Sequence, residues 1–78
     1  MRKKEIKFVV SFHTTADAMA TEKGFKDLGI IGRLIPVPRQ ISAGCGIAWC
    51  SPMEEKDRLP EILARLDIEA EDMMECEI

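Results

Sequence analysis

The sequence predicts an α+β fold in which four strands and two helices follow one another in the order βαββαβ. Segments of alternating polarity indicate the strands, and apolar residues at helical spacing indicate the two helices between them. The length agrees with this, because 78 residues of which 46% are hydrophobic suffice for one domain and not for two. We therefore interpret residues 1–78 as a single domain.

The first half of the chain contains clear local signals for one strand and one helix. Apolar side chains at every second position of residues 6–12 predict a strand whose core face begins with Ile6 and Phe8. Thr14 is a favourable N-cap and Gly29 a favourable stop, so a helix is expected over about residues 15–28. Its apolar stripe comprises Ala18, Thr21, Phe25 and Leu28.

Two further strands are expected on either side of a loop. Residues 32–37 form the second strand, which is predicted at an edge of the sheet because Pro36 has no N–H to donate to a ladder. Residues 38–46 form a loop, and residues 47–50 form a short third strand.

A second helix and a last strand complete the predicted pattern. Pro60 is tolerated only in a first helical turn, so the helix is expected to begin near Asp57. The acidic residues before and at that point, Glu54, Glu55 and Asp57, are interpreted as a solvated approach to the helix. Residues 73–78 are expected to form the fourth strand.

This order of elements is typical of a ferredoxin-like sandwich. Two right-handed βαβ halves place both helices on one face of an antiparallel four-stranded sheet. A domain of this size buries a modest fraction of its surface, so self-association into a homodimer is one expectation, with the proline-containing edge strand as a pairing element.

Composition and charge limit the cellular compartments and the kinds of partner that we expect for this protein. The 11 basic and 14 acidic residues give a net charge of −3, which argues against a nucleic-acid partner. No apolar run approaches the roughly 20 residues of a membrane span, and no export signal follows the first residue. An odd number of cysteines, three, favours free thiols in a reducing compartment. We expect a cytoplasmic protein without a membrane partner, and no motif indicates a cofactor.

Cys45 is the best candidate for chemistry, because glycines flank it in the loop. A thiol is nucleophilic only as a thiolate, which requires an environment that favours the anion. Gly44 and Gly46 leave space for a second protein to approach, and they permit positive φ values that turn backbone N–H groups toward an anion. Arg39 and Ser42 in the same loop are candidate anion-binding residues.

The same loop has a second interpretation, in which the glycines are ordinary turn residues and Cys45 is a small buried side chain. Cys50 could resolve an oxidised Cys45, although a core position is favoured for it and for Cys76. His13 follows the first strand and is either a polar residue at a strand end or a neighbour of Cys45. One histidine with three scattered cysteines matches no zinc pattern, so no metal site is expected.

Two segments of the chain carry a resemblance to a known family. The segment Pro36-Val-Pro-Arg-Gln-Ile-Ser-Ala-Gly-Cys-Gly46 and the opening Phe8-Val-Val-Ser-Phe-His-Thr-Thr-Ala-Asp-Ala18 resemble the selenium/sulfur carrier protein-like family, a group of small bacterial domains of unknown function. The resemblance covers about residues 6–68, and its most specific part is the stretch from Pro38 to Gly46. Ala43 departs from the pattern, in which a second serine is expected.

The resemblance implies a ferredoxin-like domain that carries sulfur or selenium on its motif cysteine, Cys45. A persulfide would then be accepted from a cysteine desulfurase-type donor and passed to an acceptor protein, which is at most a sulfurtransferase-type activity. Two other functions stay open: a non-catalytic ligand- or protein-binding regulatory module, and metal delivery through Cys45 and His13, which would require these side chains to converge.

Overall fold

A computed structural model describes residues 5–39 and 46–77 of the chain. Four strands, two α-helices and one 3₁₀ turn make up this part of the protein. In chain order they are β1 (Ile6–Phe12), α1 (Thr15–Asp27), β2 (Arg33–Pro36), β3 (Ile47–Pro52), the 3₁₀ turn (Met53–Glu55), α2 (Leu59–Arg65) and β4 (Ala70–Glu77).

The four strands form one antiparallel sheet in the order β2-β3-β1-β4. Each helix connects two strands that are not neighbours in the sheet, so the chain has the βαββαβ topology of a ferredoxin-like fold. The predicted fold class is confirmed, and β2 lies at an edge as its proline indicated. Neither helix of the described residues has the length and apolar composition that a bilayer crossing requires.

The main core lies between the helices and one face of the sheet. From β1 it takes Phe8, Val10 and Phe12, the alternating set that the sequence predicts as the core face, while Ile6 is 48% exposed at the strand end. Trp49 on β3 is fully buried, and its ring meets that of Phe25 edge to face with centroids 5.0 Å apart. Such aromatic pairs contribute about 0.5–1.5 kcal/mol beyond area burial.

Helix α1 begins and ends as its sequence predicts. The Thr14 hydroxyl accepts a hydrogen bond from the Asp17 N–H at 3.1 Å, which satisfies one free donor of the first turn. At the other end Gly29 has φ +73°, and the Ile30 N–H donates to the Phe25 carbonyl at 2.9 Å, which is a Schellman ending. That reversal turns Ile30 into the core and leaves Leu28 47% exposed, so Leu28 was wrongly predicted to belong to the apolar stripe.

The second half differs from the sequence prediction in three places. Helix α2 begins at Leu59 rather than near Asp57, although Pro60 lies in its first turn as expected. Strand β4 begins at Ala70, three residues earlier than predicted, because it pairs along the whole of β1. Glu55, predicted to be solvated, is 6% exposed, since the 3₁₀ turn brings its carboxylate to the Ile31 N–H at 2.8 Å.

Candidate functional site

The loop that holds the candidate thiol joins β2 to β3, and only its two ends lie within the described residues. Cys45, Ser42 and Gly44, together with residues 40, 41 and 43, lie outside them. Arg39, Gly46 and His13 are described, so the surroundings of the loop are defined by these three positions.

Gly46 has the backbone conformation that a glycine permits. Its φ value is +73°, in the left-handed region that side chains rarely adopt. A Cβ built on Gly46 would meet no other atom within 4 Å, so the space beside this backbone is open. The expectation that Gly46 supplies a positive φ is therefore confirmed at this glycine.

The β2–β3 hairpin continues up to Gly46. Pro36 pairs with Ile47 in the ladder, and the Val37 N–H donates to the Gly46 carbonyl at 3.0 Å. Pro38 has a fixed φ and restricts the preceding residue, Val37, to extended backbone, and Arg39 follows in a turn with its side chain exposed. The hairpin thus fixes where the loop leaves and re-enters the sheet.

A shallow apolar cavity of about 330 Å³ lies against this end of the hairpin. It is lined by Leu34, Ile35, Pro36, Gly46 and Ile47. One of these residues, Gly46, directly follows Cys45 in the chain.

His13 lies at the same end of the sheet. Strand β1 is antiparallel to β3, and Ser11, the last β1 residue that pairs with β3, is opposite Ala48 near the beginning of β3. The His13 side chain is exposed, and its Nδ1 lies 3.8 Å from a Glu71 carboxylate oxygen on β4. An exposed pair at this distance contributes little to stability. The structure therefore brings His13, Arg39 and Gly46 to one end of the sheet.

The other two cysteines lie on the face of the sheet opposite the helices. Cys76 is 4% exposed and packs with Val9 and Ala48, which confirms the core interpretation. Burial raises the pKa of the Cys76 thiol, and the charge of Asp72 raises it further.

Cys50 is also buried and is carried away from the loop by β3. It lies three residues beyond Ile47, or about 10 Å at 3.3 Å per strand residue. The role of Cys50 as a resolving thiol for Cys45, which lies outside the described residues, stays a prediction. Burial raises the pKa of the Cys50 thiol, while the positive charges of Lys7 and Arg33 act in the opposite direction.

Sequence reasoning missed the grouping of Lys7, Arg33 and Cys50. These residues come from three different strands and line one cavity of about 310 Å³. Alternation along β1 and β3 places Lys7 and Cys50 on the non-helical face, but only the strand order reveals that Arg33 joins them. No cluster of three or more potential metal-ligating side chains occurs in residues 5–39 and 46–77.

The fold and the site together define a small ferredoxin-like α+β domain with a cysteine-containing loop at one end of its sheet. The chain belongs to the family described as Putative Se/S carrier protein-like, whose model matches residues 7–75. No curated protein and no solved structure shows significant similarity to the chain.

Proposed function

We propose that the protein is a sulfur or selenium carrier that holds a persulfide, or its selenium analogue, on Cys45. The family match across residues 7–75 carries the proposal, because it includes the whole glycine-flanked motif around that cysteine. The left-handed, open backbone at Gly46 supports it, since a partner protein must reach the sulfur closely.

The transfer is a thiol exchange in its physical requirements. The Cys45 thiolate attacks the outer sulfur of a persulfide on a cysteine desulfurase-type donor. A bond forms between Cys45 Sγ and that sulfur, the S–S bond of the donor breaks, and the donor thiolate leaves with the electron pair. An acceptor protein then takes the outer sulfur from Cys45 in the same way.

The residues around the loop have distinct roles in this proposal. Arg39, exposed at the end of a stiff proline segment, provides a positive charge for the thiolate or persulfide anion. Ser42 and the backbone N–H groups near Gly44 and Gly46 are proposed as hydrogen-bond donors to the same anion. His13 is proposed as a further cation when protonated, from the adjoining end of β1.

Persulfide loading tests the proposal directly. The protein is incubated with a cysteine desulfurase and cysteine, and the intact mass is then measured. We expect the wild type to gain the mass of one sulfur atom and Cys45→Ser to gain none. Cys50→Ser and Cys76→Ser are matched controls that should load like the wild type, because both thiols are too buried for a donor protein to reach. Absence of added sulfur on the wild type, or equal loading of Cys45→Ser, would overturn the carrier function.

The rate of alkylation separates the carrier from a binding module without covalent chemistry. A carrier thiol should react with iodoacetamide at neutral pH, because its anion is stabilised and accessible. Replacement of the nearby charge in Arg39→Gln should slow that reaction, whereas Arg65→Gln, an exposed arginine on α2, should not. A thiol that reacts only above its ordinary titration range would favour the regulatory or docking role.

A further inference from the structure

The sheet face opposite the helices carries a second thiol site, separate from the loop. The cavity of about 310 Å³ lies where β2 begins and β3 ends, and Lys7, Arg33 and Cys50 line it. Cys50 is 9% exposed, and it is one of the residues that line this cavity.

Two positive charges flank the Cys50 thiol. Arg33 lies directly opposite Cys50 in the β2–β3 ladder, and Lys7 lies on β1 opposite Pro52, two residues further along β3. The Lys7 ammonium group also contacts Glu5 at 2.9 Å, which neutralises part of its charge. Arg33 has no ion pair among the described residues, so its charge is available to a ligand.

The cavity wall is rigid, because a buried hydrogen-bond network holds both backbone groups of Ile31. Its N–H donates to Glu55 at 2.8 Å, and its carbonyl accepts from the Ser51 hydroxyl at 2.7 Å. The Trp49 indole N–H in turn donates to Ser51 at 2.6 Å. A fully satisfied polar network of this kind fixes the surrounding backbone.

Gly32 shows how closely β2 and β3 approach at the same place. A Cβ at Gly32 would lie 2.5 Å from the Cys50 carbonyl oxygen and 2.7 Å from Ser51 Oγ. The backbone at Gly32 therefore packs directly against the backbone of Cys50 and the side chain of Ser51.

We propose that this cavity is an anion-binding site that directs small anionic sulfur electrophiles to Cys50. The ligand class comprises thiosulfonates and disulfides that carry a sulfonate or carboxylate, because two cations attract such groups and repel cationic analogues. The thiol first gives its proton to solvent. The thiolate then attacks the electrophilic sulfur, a new S–S bond forms on Cys50, and the leaving sulfinate or thiolate departs with the electron pair.

Two single-cysteine proteins test this proposal without any contribution from the loop thiol. The double variant Cys45→Ser/Cys76→Ser retains Cys50. The double variant Cys45→Ser/Cys50→Ser retains Cys76, a buried comparison thiol that lies opposite Lys7 and near Asp72 but is not paired with Arg33. Each is labelled with anionic 2-sulfonatoethyl methanethiosulfonate and with cationic 2-trimethylammonioethyl methanethiosulfonate, and both rates are measured by mass spectrometry.

The ratio of the anionic to the cationic rate is expected to be about tenfold higher at Cys50 than at Cys76. Comparing two thiols removes the intrinsic difference between the reagents. Arg33→Gln in the Cys50 protein should lower the ratio toward that of Cys76, and added salt should do the same. Sodium sulfate should slow anionic labelling of Cys50 more than sodium chloride of equal ionic strength.

Several results would overturn the anion site. They are an equal ratio at the two thiols, a ratio that Arg33→Gln leaves unchanged, and a Cys50 that neither reagent modifies before the protein unfolds. Because Arg33 is exposed, its replacement should preserve the fold, which the emission of the buried Trp49 reports independently. These outcomes leave the Cys45 proposal untouched, since Cys45 is absent from both proteins.

Discussion

Gly46 and Asp67 both have positive φ values, a backbone conformation that costs a glycine little and strains any other residue. Gly46 has φ +73° and no neighbouring atom within 4 Å of a built Cβ. Gly46→Ala should therefore lose about 1–2 kcal/mol of folding stability through backbone strain alone, without a steric clash. Urea unfolding followed by Trp49 fluorescence measures this change. An unchanged or increased stability would mean that the native protein does not hold this conformation.

Replacement of Asp67 by glycine should have the opposite effect on folding stability. It follows α2 with φ +57°, and the Ile68 N–H donates to the Leu63 carbonyl at 3.0 Å in a Schellman ending that usually has glycine at this position. Asp67→Gly should gain about 0.5–1 kcal/mol, because glycine relieves the left-handed strain. Asp67→Ala is the control, and it should be less stable than Asp67→Gly in the same unfolding measurement.

At the scale of elements, the 3₁₀ turn (Met53–Glu55) is linked to the beginning of β2 by one buried carboxylate. Glu55 accepts from the Ile31 N–H at 2.8 Å and from Arg58 at 3.1 Å. Glu55→Ala should lose about 2–3 kcal/mol, since it leaves the Ile31 N–H without its acceptor. Glu55→Gln should lose less, because an amide oxygen can still accept from Ile31.

Glu54 provides the matched control for that experiment. It is the exposed neighbour of Glu55 in the same turn, so Glu54→Ala should change stability by less than about 0.5 kcal/mol. Equal losses for Glu54→Ala and Glu55→Ala would show that burial and the Ile31 contact do not stabilise this link. Hydrogen exchange at the Ile31 amide should accelerate in Glu55→Ala only.

The elements that the sequence predicts well are those whose signals are local. The Thr14 cap, the Gly29 stop and the alternation along β1 involve residues within a few positions of one another, and all three are observed. Glu55 was interpreted wrongly, because its partner Ile31 is 24 residues away in the chain and no local pattern reveals such a contact. The early start of β4 likewise depends on pairing with β1.

The candidate site also has some features with local sequence signals and others that depend on contacts between distant parts of the chain. The residue type at Gly46 permits a positive φ, which is the conformation observed there. The convergence of His13 with the ends of the loop depends on the order of the strands in the sheet. The cavity around Cys50 requires β2, β3 and β1 to be neighbours, so composition and spacing alone could not indicate it.

For the whole molecule, both described thiols lie on the face of the sheet opposite the helices. The loop at one end contains Cys45, and the non-helical face buries Cys50 and Cys76 between strands. Burial raises the pKa of both described thiols above their ordinary value of 9.0, so the folded protein keeps protons that the unfolded chain releases. The two thiols thus favour the folded state at neutral pH and oppose it in alkali.

The free energy of unfolding should therefore fall as the pH rises above about 9. Below the thiol pKa of the unfolded chain both states are protonated and the contribution is complete, whereas above it only the unfolded chain ionises. Lys7 and Lys56 titrate later, because hydrogen bonds to Glu5 and Glu75 raise their pKa above the ordinary 10.5. Urea unfolding between about pH 8 and pH 10 isolates the thiol contribution.

Cys50→Ala/Cys76→Ala is the matched variant for this measurement. It starts from a lower stability at pH 8, because two buried side chains are truncated, but its stability should decrease less over the same interval. The comparison depends on the slope with pH and not on the absolute value, so the packing loss does not affect it. Parallel slopes in the two proteins would mean that the non-helical face does not shield these thiols from water.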